Sequence, residues 1–192
     1  HAFCQSEDPT PKQILVYHIH VSEYVPRYLV ADFPRLLTLA LTRDPRSSMR
    51  HRYSTSISAV DDHKLNRSDA IIYRRRAYTM VCRYLLNGQQ VLRSLDEDRI
   101  RVVRHEDLVG RLEDVLRAVA DYLGIDFVSE LLQCTFGGIP WWGDKIYEMQ
   151  PMNVPNPRVM SLDWQHELHP LDWFVLEGLL FDYCKTYGYE LY

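Results

Sequence analysis

The chain has 192 residues, of which 46% are hydrophobic and 25% charged, and its formal net charge is −4 at pH 7. This length and apolar content suit one folded domain with a sizeable core and exclude an intrinsically disordered chain. The net negative charge argues against a general nucleic-acid or polyanion binder, so any anion recognition should depend on a local group of arginines.

Cysteine spacing and hydropathy exclude further classes. Cys4, Cys82, Cys134 and Cys184 are widely separated, so we expect thiols, with one disulfide left open, and neither a zinc ribbon nor a disulfide framework. No apolar run approaches the roughly 20 residues of a membrane-spanning helix. Residues 1–12 are polar, contain two prolines and do not resemble a signal peptide. We therefore expect an irregular lead-in followed by a soluble domain.

The stretch from Ile14 to Ser54 begins with a predicted strand, helix and strand in succession. Residues 13–18 are apolar and β-branched, which is typical of a buried strand. Residues 22–33 carry apolar side chains at helical spacing, and residues 36–42 form a second apolar run. Two parallel strands joined by a helix would make a βαβ unit.

A helix start follows the second predicted strand. Asp44 can cap this helix and Pro45 suits its first position, so a helix is predicted over residues 45–59. Unpaired N–H groups and the positive end of the helix dipole attract anions, and Arg43 and Arg46 lie beside them. The spacing equally allows a capped surface helix with two solvated arginines.

The apolar spacing of the remaining chain predicts a long helix over residues 70–95, a strand over 99–104, a helix over 108–123 closed by Gly124, a short helix over 127–134 and a closing helix over 170–187. Arg74, Arg75 and Arg76 are expected on a solvated face of the long helix, with contact to an anionic acceptor as the alternative. Residues 137–157 are rich in glycine and proline and predict a long loop, which in compact domains is often functional.

Four segments resemble a known family: HIHVSE (18–23), LALTRDPRSSMRHRYS (39–54), RIRVVRHEDLVGRLEDVLRAVADYLGI (99–125) and LDWQHELHPLDWFVLEGLLFDYCKTYGYE (162–190). No segment is specific alone, but their order and approximate spacing resemble the C-terminal two-thirds of sulfotransferases that use 3′-phosphoadenosine 5′-phosphosulfate (PAPS). The resemblance covers nearly all of residues 13–191. It implies a three-layer α/β fold, with a central parallel sheet flanked by helices, related to P-loop nucleotide kinases.

The resemblance implies catalytic roles for the first segment. His20 matches the general base that takes the acceptor's proton, and an imidazole with a pKa of about 6.5 can do so at neutral pH. A structural histidine at a strand end is the alternative. His18 lies where cytosolic members have a lysine that touches the transferred group, and Glu23 is the competing base because some carbohydrate-acting relatives use a carboxylate.

The resemblance also implies a donor site. Arg43 matches the arginine that grips the 3′-phosphate, since its fixed fork meets phosphate oxygens in pairs. The family's serine eight residues later is His51 here, and Ser47 lies one helical turn earlier, so either is expected to complete the phosphate site. His105 replaces a tyrosine of many relatives and is expected to contact the nucleotide, with packing at a strand end as the alternative.

Two further groups have open interpretations. Trp141 and Trp142 are expected to wall an acceptor pocket, as loops at this position do in the family, or to form a satellite core cluster. His18, His20 and Glu23 resemble a small metal-chelating group, but no second ligand group is evident in the sequence, so we expect no metal site.

Together these features predict sulfuryl transfer from PAPS to a hydroxyl or amine of a carbohydrate or small molecule, without a metal or a membrane segment, and release of 3′-phosphoadenosine 5′-phosphate (PAP). The family's 5′-phosphosulfate loop should precede residue 13, and residues 1–12 do not resemble it. We therefore expect one domain over residues 1–192, incomplete at its N-terminus, with a preceding segment or partner supplying the loop.

The sequence also allows two other functions and two cellular compartments. A non-catalytic nucleotide-binding or scaffold relative would keep the fold without the donor loop, whereas a nucleoside-phosphate kinase would need a glycine-rich Lys-Ser/Thr loop that the sequence does not contain. The cytoplasm is the expected location, and the Golgi lumen is the alternative if the chain belongs to an anchored enzyme.

Overall fold

The computed structural model describes residues 16, 25–49, 67–136, 139–141, 151 and 164–192. Its elements in chain order are α1 (Val25–Asp32), β1 (Thr38–Thr42), α2 (residues 45–49 of its described part), α3 (Arg67–Arg93), β2 (Ile100–Arg104), α4 (His105–Gly110), α5 (Leu112–Leu123), β3 (Thr135–Phe136), β4 (Ile139–Pro140), α6 (Trp164–Glu167), α7 (Pro170–Leu179) and α8 (Phe181–Tyr187). Short 3₁₀ turns occupy Glu97–Arg99 and Ser129–Leu132. The fold is a helix-rich α/β structure with a small parallel sheet, which confirms the predicted class.

The strands β1 and β2 pair in parallel, from Thr38 opposite Ile100 to Thr42 opposite Arg104. A parallel pair needs a long crossover, and α3 lies within it. The first strand of the predicted βαβ unit, residues 13–18, lies outside the described residues apart from Val16. The second and third predicted strands are therefore confirmed, and the structure shows in addition that they are neighbours whose carboxyl ends lie side by side.

Two predicted helices are each interrupted once. The helix predicted over residues 108–123 instead begins at His105 and breaks at Arg111, and the closing helix breaks at Leu180. Each break follows a glycine by one or two residues, Gly110 and Gly178, and glycine is a weak helix former. The break at Leu180 separates α7 from α8, and both helices contribute buried residues to the core.

The predicted end of α5 is confirmed in detail. Gly124 adopts the left-handed conformation, with φ 66°, and the Ile125 N–H donates to the carbonyl of Ala120 at 3.0 Å. This geometry satisfies carbonyl groups that the helix end would otherwise leave unpaired, and glycine adopts it without a Cβ penalty.

The hydrophobic core lies where α2, α3, α6, α7 and α8 meet, and its buried members are Met49, Ala77, Val81, Trp164, Leu168, Leu176, Leu180, Tyr183, Cys184 and Tyr189. A polar contact joins α3 to α7 beside it. The Arg74 guanidinium forms a two-pronged ion pair with Asp172 at 2.6 and 2.5 Å, and the Tyr78 hydroxyl donates to the same carboxylate. Arg74 is thus paired at the border of the core although its side chain stays 40% exposed, and Arg75 and Arg76 are exposed as expected.

The described cysteines are thiols. Cys82, Cys134 and Cys184 form no disulfide, and burial raises the pKa of the Cys184 thiol to about 11. A thiol with so high a pKa is inert at neutral pH. Within the described ranges, no helix combines the length and the apolar composition needed to cross a bilayer.

Candidate active site

The candidate site lies at the carboxyl edge of the β1–β2 pair. Arg43 directly follows β1 and His105 directly follows β2, one position beyond the last paired residues. Burial lowers the pKa of His105, the positive charge of Arg43 lowers it further, and Glu106 opposes both effects. The imidazole is therefore neutral at pH 7. Its Nδ1 atom is buried and has no hydrogen-bond partner among the described residues.

The predicted helix cap is present at the start of α2. The Asp44 side chain accepts a hydrogen bond from the Arg46 backbone N–H at 2.8 Å, and the Ser48 N–H donates to the Asp44 carbonyl at 3.0 Å. Pro45 occupies the first helical position and is buried. Ser47 is half-buried in the same turn, four residues after Arg43 in sequence.

Arg46 differs from both sequence interpretations, because it is neither solvated nor available to a bound anion. Its side chain is 2% exposed, forms a two-pronged contact with Asp44 at 3.0 and 2.8 Å, and donates to Glu177 at 2.6 Å. The guanidinium also lies 4.3 Å from the centre of a Trp164 ring. A buried charge must be paired and hydrogen-bonded, and these two carboxylates pair it. The expectation that Arg46 helps to bind an anion was therefore wrong.

Sequence reasoning did not select three residues that form hydrogen bonds at this edge, two of them with the backbone. Glu106 accepts a hydrogen bond from the Asp44 N–H at 2.9 Å, and the Tyr183 hydroxyl donates to the Arg43 carbonyl at 3.2 Å. Tyr189 lies 3.3 Å from Glu106 through its hydroxyl. Glu106 could have been selected from the sequence, because it belongs to the His-Glu-Asp-Leu segment that resembles the family. No local pattern indicates the two tyrosines, which are far from β1 in sequence.

The described structure leaves most of the other predicted site residues untested. His18, His20, Glu23, His51 and Trp142 lie outside the described residues, so their roles stay predictions. Trp141 is half-buried and lies directly after the β3–β4 hairpin. Its backbone N–H donates to the Cys134 carbonyl at 2.9 Å. In the described part of the chain, no group of three or more histidine, cysteine or acidic side chains is arranged to hold a metal ion.

The residues at the strand ends suit a phosphate group. Arg43 offers a planar fork of donors, Ser47 a hydroxyl and His105 a neutral ring. The nearest carboxylates, those of Asp44 and Glu106, are engaged in hydrogen bonds to Arg46 and to the Asp44 N–H. Arg43 and His105 thus follow paired ends of a parallel sheet, a common position for ligands in open α/β folds.

Comparisons with known proteins concern the family and the fold of this chain. The model of a sequence family described as "Sulfotransferase family" matches residues 5–129. No curated protein matches the sequence. Solved structures that are similar in fold include the sulfotransferase domain from the curacin biosynthetic pathway, with TM-score 0.61 and 21% identity, and the sulfotransferase domain from the Synechococcus PCC 7002 olefin synthase, with TM-score 0.57 and 21% identity.

The first alignment covers 83% of this chain and 56% of the curacin-pathway domain, and the second covers 81% and 50%. The chain thus spans about half the length of these structures. At 21% identity the likeness concerns the fold. The family match, in contrast, covers well over half of the sequence and includes β1, β2 and the residues that follow both strands. This chain belongs to the sulfotransferase family.

Proposed function

We propose that this chain binds PAPS and transfers its sulfuryl group to a hydroxyl or amine of an acceptor such as a carbohydrate or small molecule. The observation that supports the donor is the position of Arg43, which follows β1 in register with His105 after β2, in a member of the sulfotransferase family. An arginine fork beside a neutral ring suits a nucleotide phosphate next to its base or ribose.

Each residue then has one role. Arg43 binds the 3′-phosphate, with Ser47 or His51 completing the contact, and His105 contacts the nucleotide. When bound, PAPS supplies an activated sulfuryl group. His20 accepts the proton of the attacking acceptor, with His18 donating to the transferred group and Glu23 as the alternative base.

Positioning and electrostatic stabilisation account for the rate, without a covalent intermediate. Trp141 and Trp142 wall the acceptor, and a segment before residue 13 or a partner supplies the 5′-phosphosulfate contacts.

The donor assignment is tested by PAP binding, measured by calorimetry. Charge-assisted hydrogen bonds contribute about 1.5–3 kcal/mol each, so Arg43→Ala should weaken PAP binding by about 10- to 100-fold. Arg35→Ala is the matched control, because Arg35 is exposed and precedes β1 at its opposite end. Wild-type protein that binds no PAP, or an Arg43→Ala variant with unchanged affinity, would contradict the assignment.

Transfer itself needs a second assay, with labelled PAPS and a panel of sugars, phenols and amines, on the longest open reading frame that contains this chain. We expect labelled product, and its loss in His20→Ala with PAP affinity preserved. Binding of PAP without transfer to any acceptor would instead favour the non-catalytic nucleotide-binding role.

A further inference from the structure

The peptide group between Arg43 and Asp44 is held from two sides. Its N–H, on Asp44, donates to Glu106 Oε1 at 2.9 Å, and its carbonyl, on Arg43, accepts from the Tyr183 hydroxyl at 3.2 Å. A peptide group is planar, so fixing its N–H and its carbonyl fixes the orientation of the whole plane. The preceding residue, Thr42, is held in the β1–β2 ladder opposite Arg104. With the backbone fixed on both sides of Arg43, the direction in which its side chain leaves the end of β1 is also fixed.

The two residues that hold this peptide are themselves held. The Tyr189 hydroxyl lies 3.3 Å from Glu106 Oε2 and 3.3 Å from Thr42 Oγ1, so one hydroxyl can donate to the carboxylate while accepting from the threonine. The ring of Tyr189 is parallel to that of Tyr183, with centroids 6.0 Å apart. Both tyrosines are buried. The hydrogen bonds to the Arg43–Asp44 peptide therefore come from a packed and connected group.

Glu106 places a negative charge next to the proposed phosphate site. Burial and the charge of Arg43 lower the pKa of His105, and the Glu106 carboxylate opposes this shift, so its field reaches the same edge that carries Arg43. A negative charge beside an anion site weakens binding by Coulomb repulsion. Any favourable contribution of Glu106 to a phosphate site must therefore come from the geometry that it imposes on the backbone.

We infer that Glu106 and Tyr183 are positioning residues for the donor: they orient the Arg43–Asp44 peptide so that the Arg43 side chain and the start of α2 face the 3′-phosphate together. This inference rests on the proposed function. Glu106 and Tyr183 act through the backbone, and neither needs to touch the nucleotide.

Glu106→Ala and Glu106→Gln separate geometry from charge, because both variants remove the negative charge but glutamine keeps an acceptor oxygen for the Asp44 N–H. We expect Glu106→Ala to bind PAP about tenfold more weakly than wild type, which corresponds to about 1.4 kcal/mol, and Glu106→Gln to bind at least as tightly as wild type. If Glu106 acted through its charge alone, both variants would bind PAP more tightly. Calorimetry at one fixed pH and salt concentration measures all three affinities.

Tyr183→Phe tests the other side of the peptide without changing any charge. It should weaken PAP binding several-fold, whereas Tyr187→Phe, whose ring packs 4.7 Å from that of Tyr183, should not. Hydrogen exchange of the Asp44 amide gives a readout without ligand: exchange should be faster in Glu106→Ala and remain slow in Glu106→Gln.

Wild-type affinity for PAP in both Glu106→Ala and Tyr183→Phe would overturn the positioning role while leaving the proposed donor intact. Wild-type protein that binds no PAP would overturn the donor and the positioning role together. If Glu106→Ala does not fold, the comparison of Tyr183→Phe with Tyr187→Phe decides the question.

Discussion

Replacing Arg46 by methionine should lower the free energy of unfolding by about 3–5 kcal/mol, the usual effect of removing one partner from a buried ion pair. Arg46 makes side-chain hydrogen bonds of 2.6, 2.8 and 3.0 Å to Glu177 and Asp44. Glu177 and Asp44 are only 6% and 8% exposed, so water cannot replace the lost partner. Methionine has a similar length and is apolar. The loss should therefore come from two uncompensated carboxylates and not from a cavity.

Burial alone would lower the pKa of Arg46, but the hydrogen bonds and charges of Asp44 and Glu177 outweigh it, so the net shift is upward. Arg46 therefore stays charged at neutral pH. Deprotonation of Arg46 therefore does not contribute to the difference in unfolding free energy between wild type and Arg46→Met.

Urea unfolding followed by tryptophan fluorescence is a suitable assay, because the Arg46 guanidinium lies 4.3 Å from a Trp164 ring. With a urea slope of about 1–3 kcal/mol per molar, the loss corresponds to a midpoint lower by about 2 M. Arg75→Met, an exposed arginine on α3, should change stability by less than about 0.5 kcal/mol. The triple variant Asp44→Asn, Arg46→Met, Glu177→Gln should recover much of the loss, because it removes the two uncompensated charges. A loss below about 1 kcal/mol in Arg46→Met, or no recovery in the triple variant, would refute this reasoning.

Two further predictions concern protonation and backbone conformation. Because the pKa of His105 is lowered from its ordinary 6.5 in the folded state, the unfolded state takes up this proton first as pH falls, so stability should decrease from about pH 6.5 downward. His105→Asn should remove this part of the pH dependence, as measured by urea midpoints at several pH values, and an unchanged slope would contradict it. Gly124→Ala should lower the free energy of unfolding by about 1 kcal/mol, because φ there is 66° while no atom lies within 4 Å of the added Cβ. Gly178→Ala, at an equally open position inside α7, should instead raise it by about 0.5–1 kcal/mol, and effects of the same sign at both glycines would argue against a conformational cause.

Local sequence was sufficient for the elements with strong patterns. The apolar spacing of α3 and α5, the β-branched run of β2 and the left-handed Gly124 depend on residues within a few positions of one another. The Asp44 cap is likewise a contact between residues two apart. The juxtaposition of Arg43 and His105, in contrast, depends on the parallel pairing of β1 with β2, which local sequence did not assign.

Tertiary structure decided what the arginines beside that edge do. The partner of Arg46, Glu177, is 131 residues away in sequence, and Tyr183, which holds the Arg43 carbonyl, is 140 residues away. An Arg-Asp-Pro-Arg segment looks the same to any local pattern whether its second arginine is solvated, binds an anion or is buried between carboxylates. The free energy of a buried charge depends on desolvation and on partners that the closing helices bring to it, so only the packed structure distinguishes the buried Arg46 from the half-buried Arg43 at the strand end.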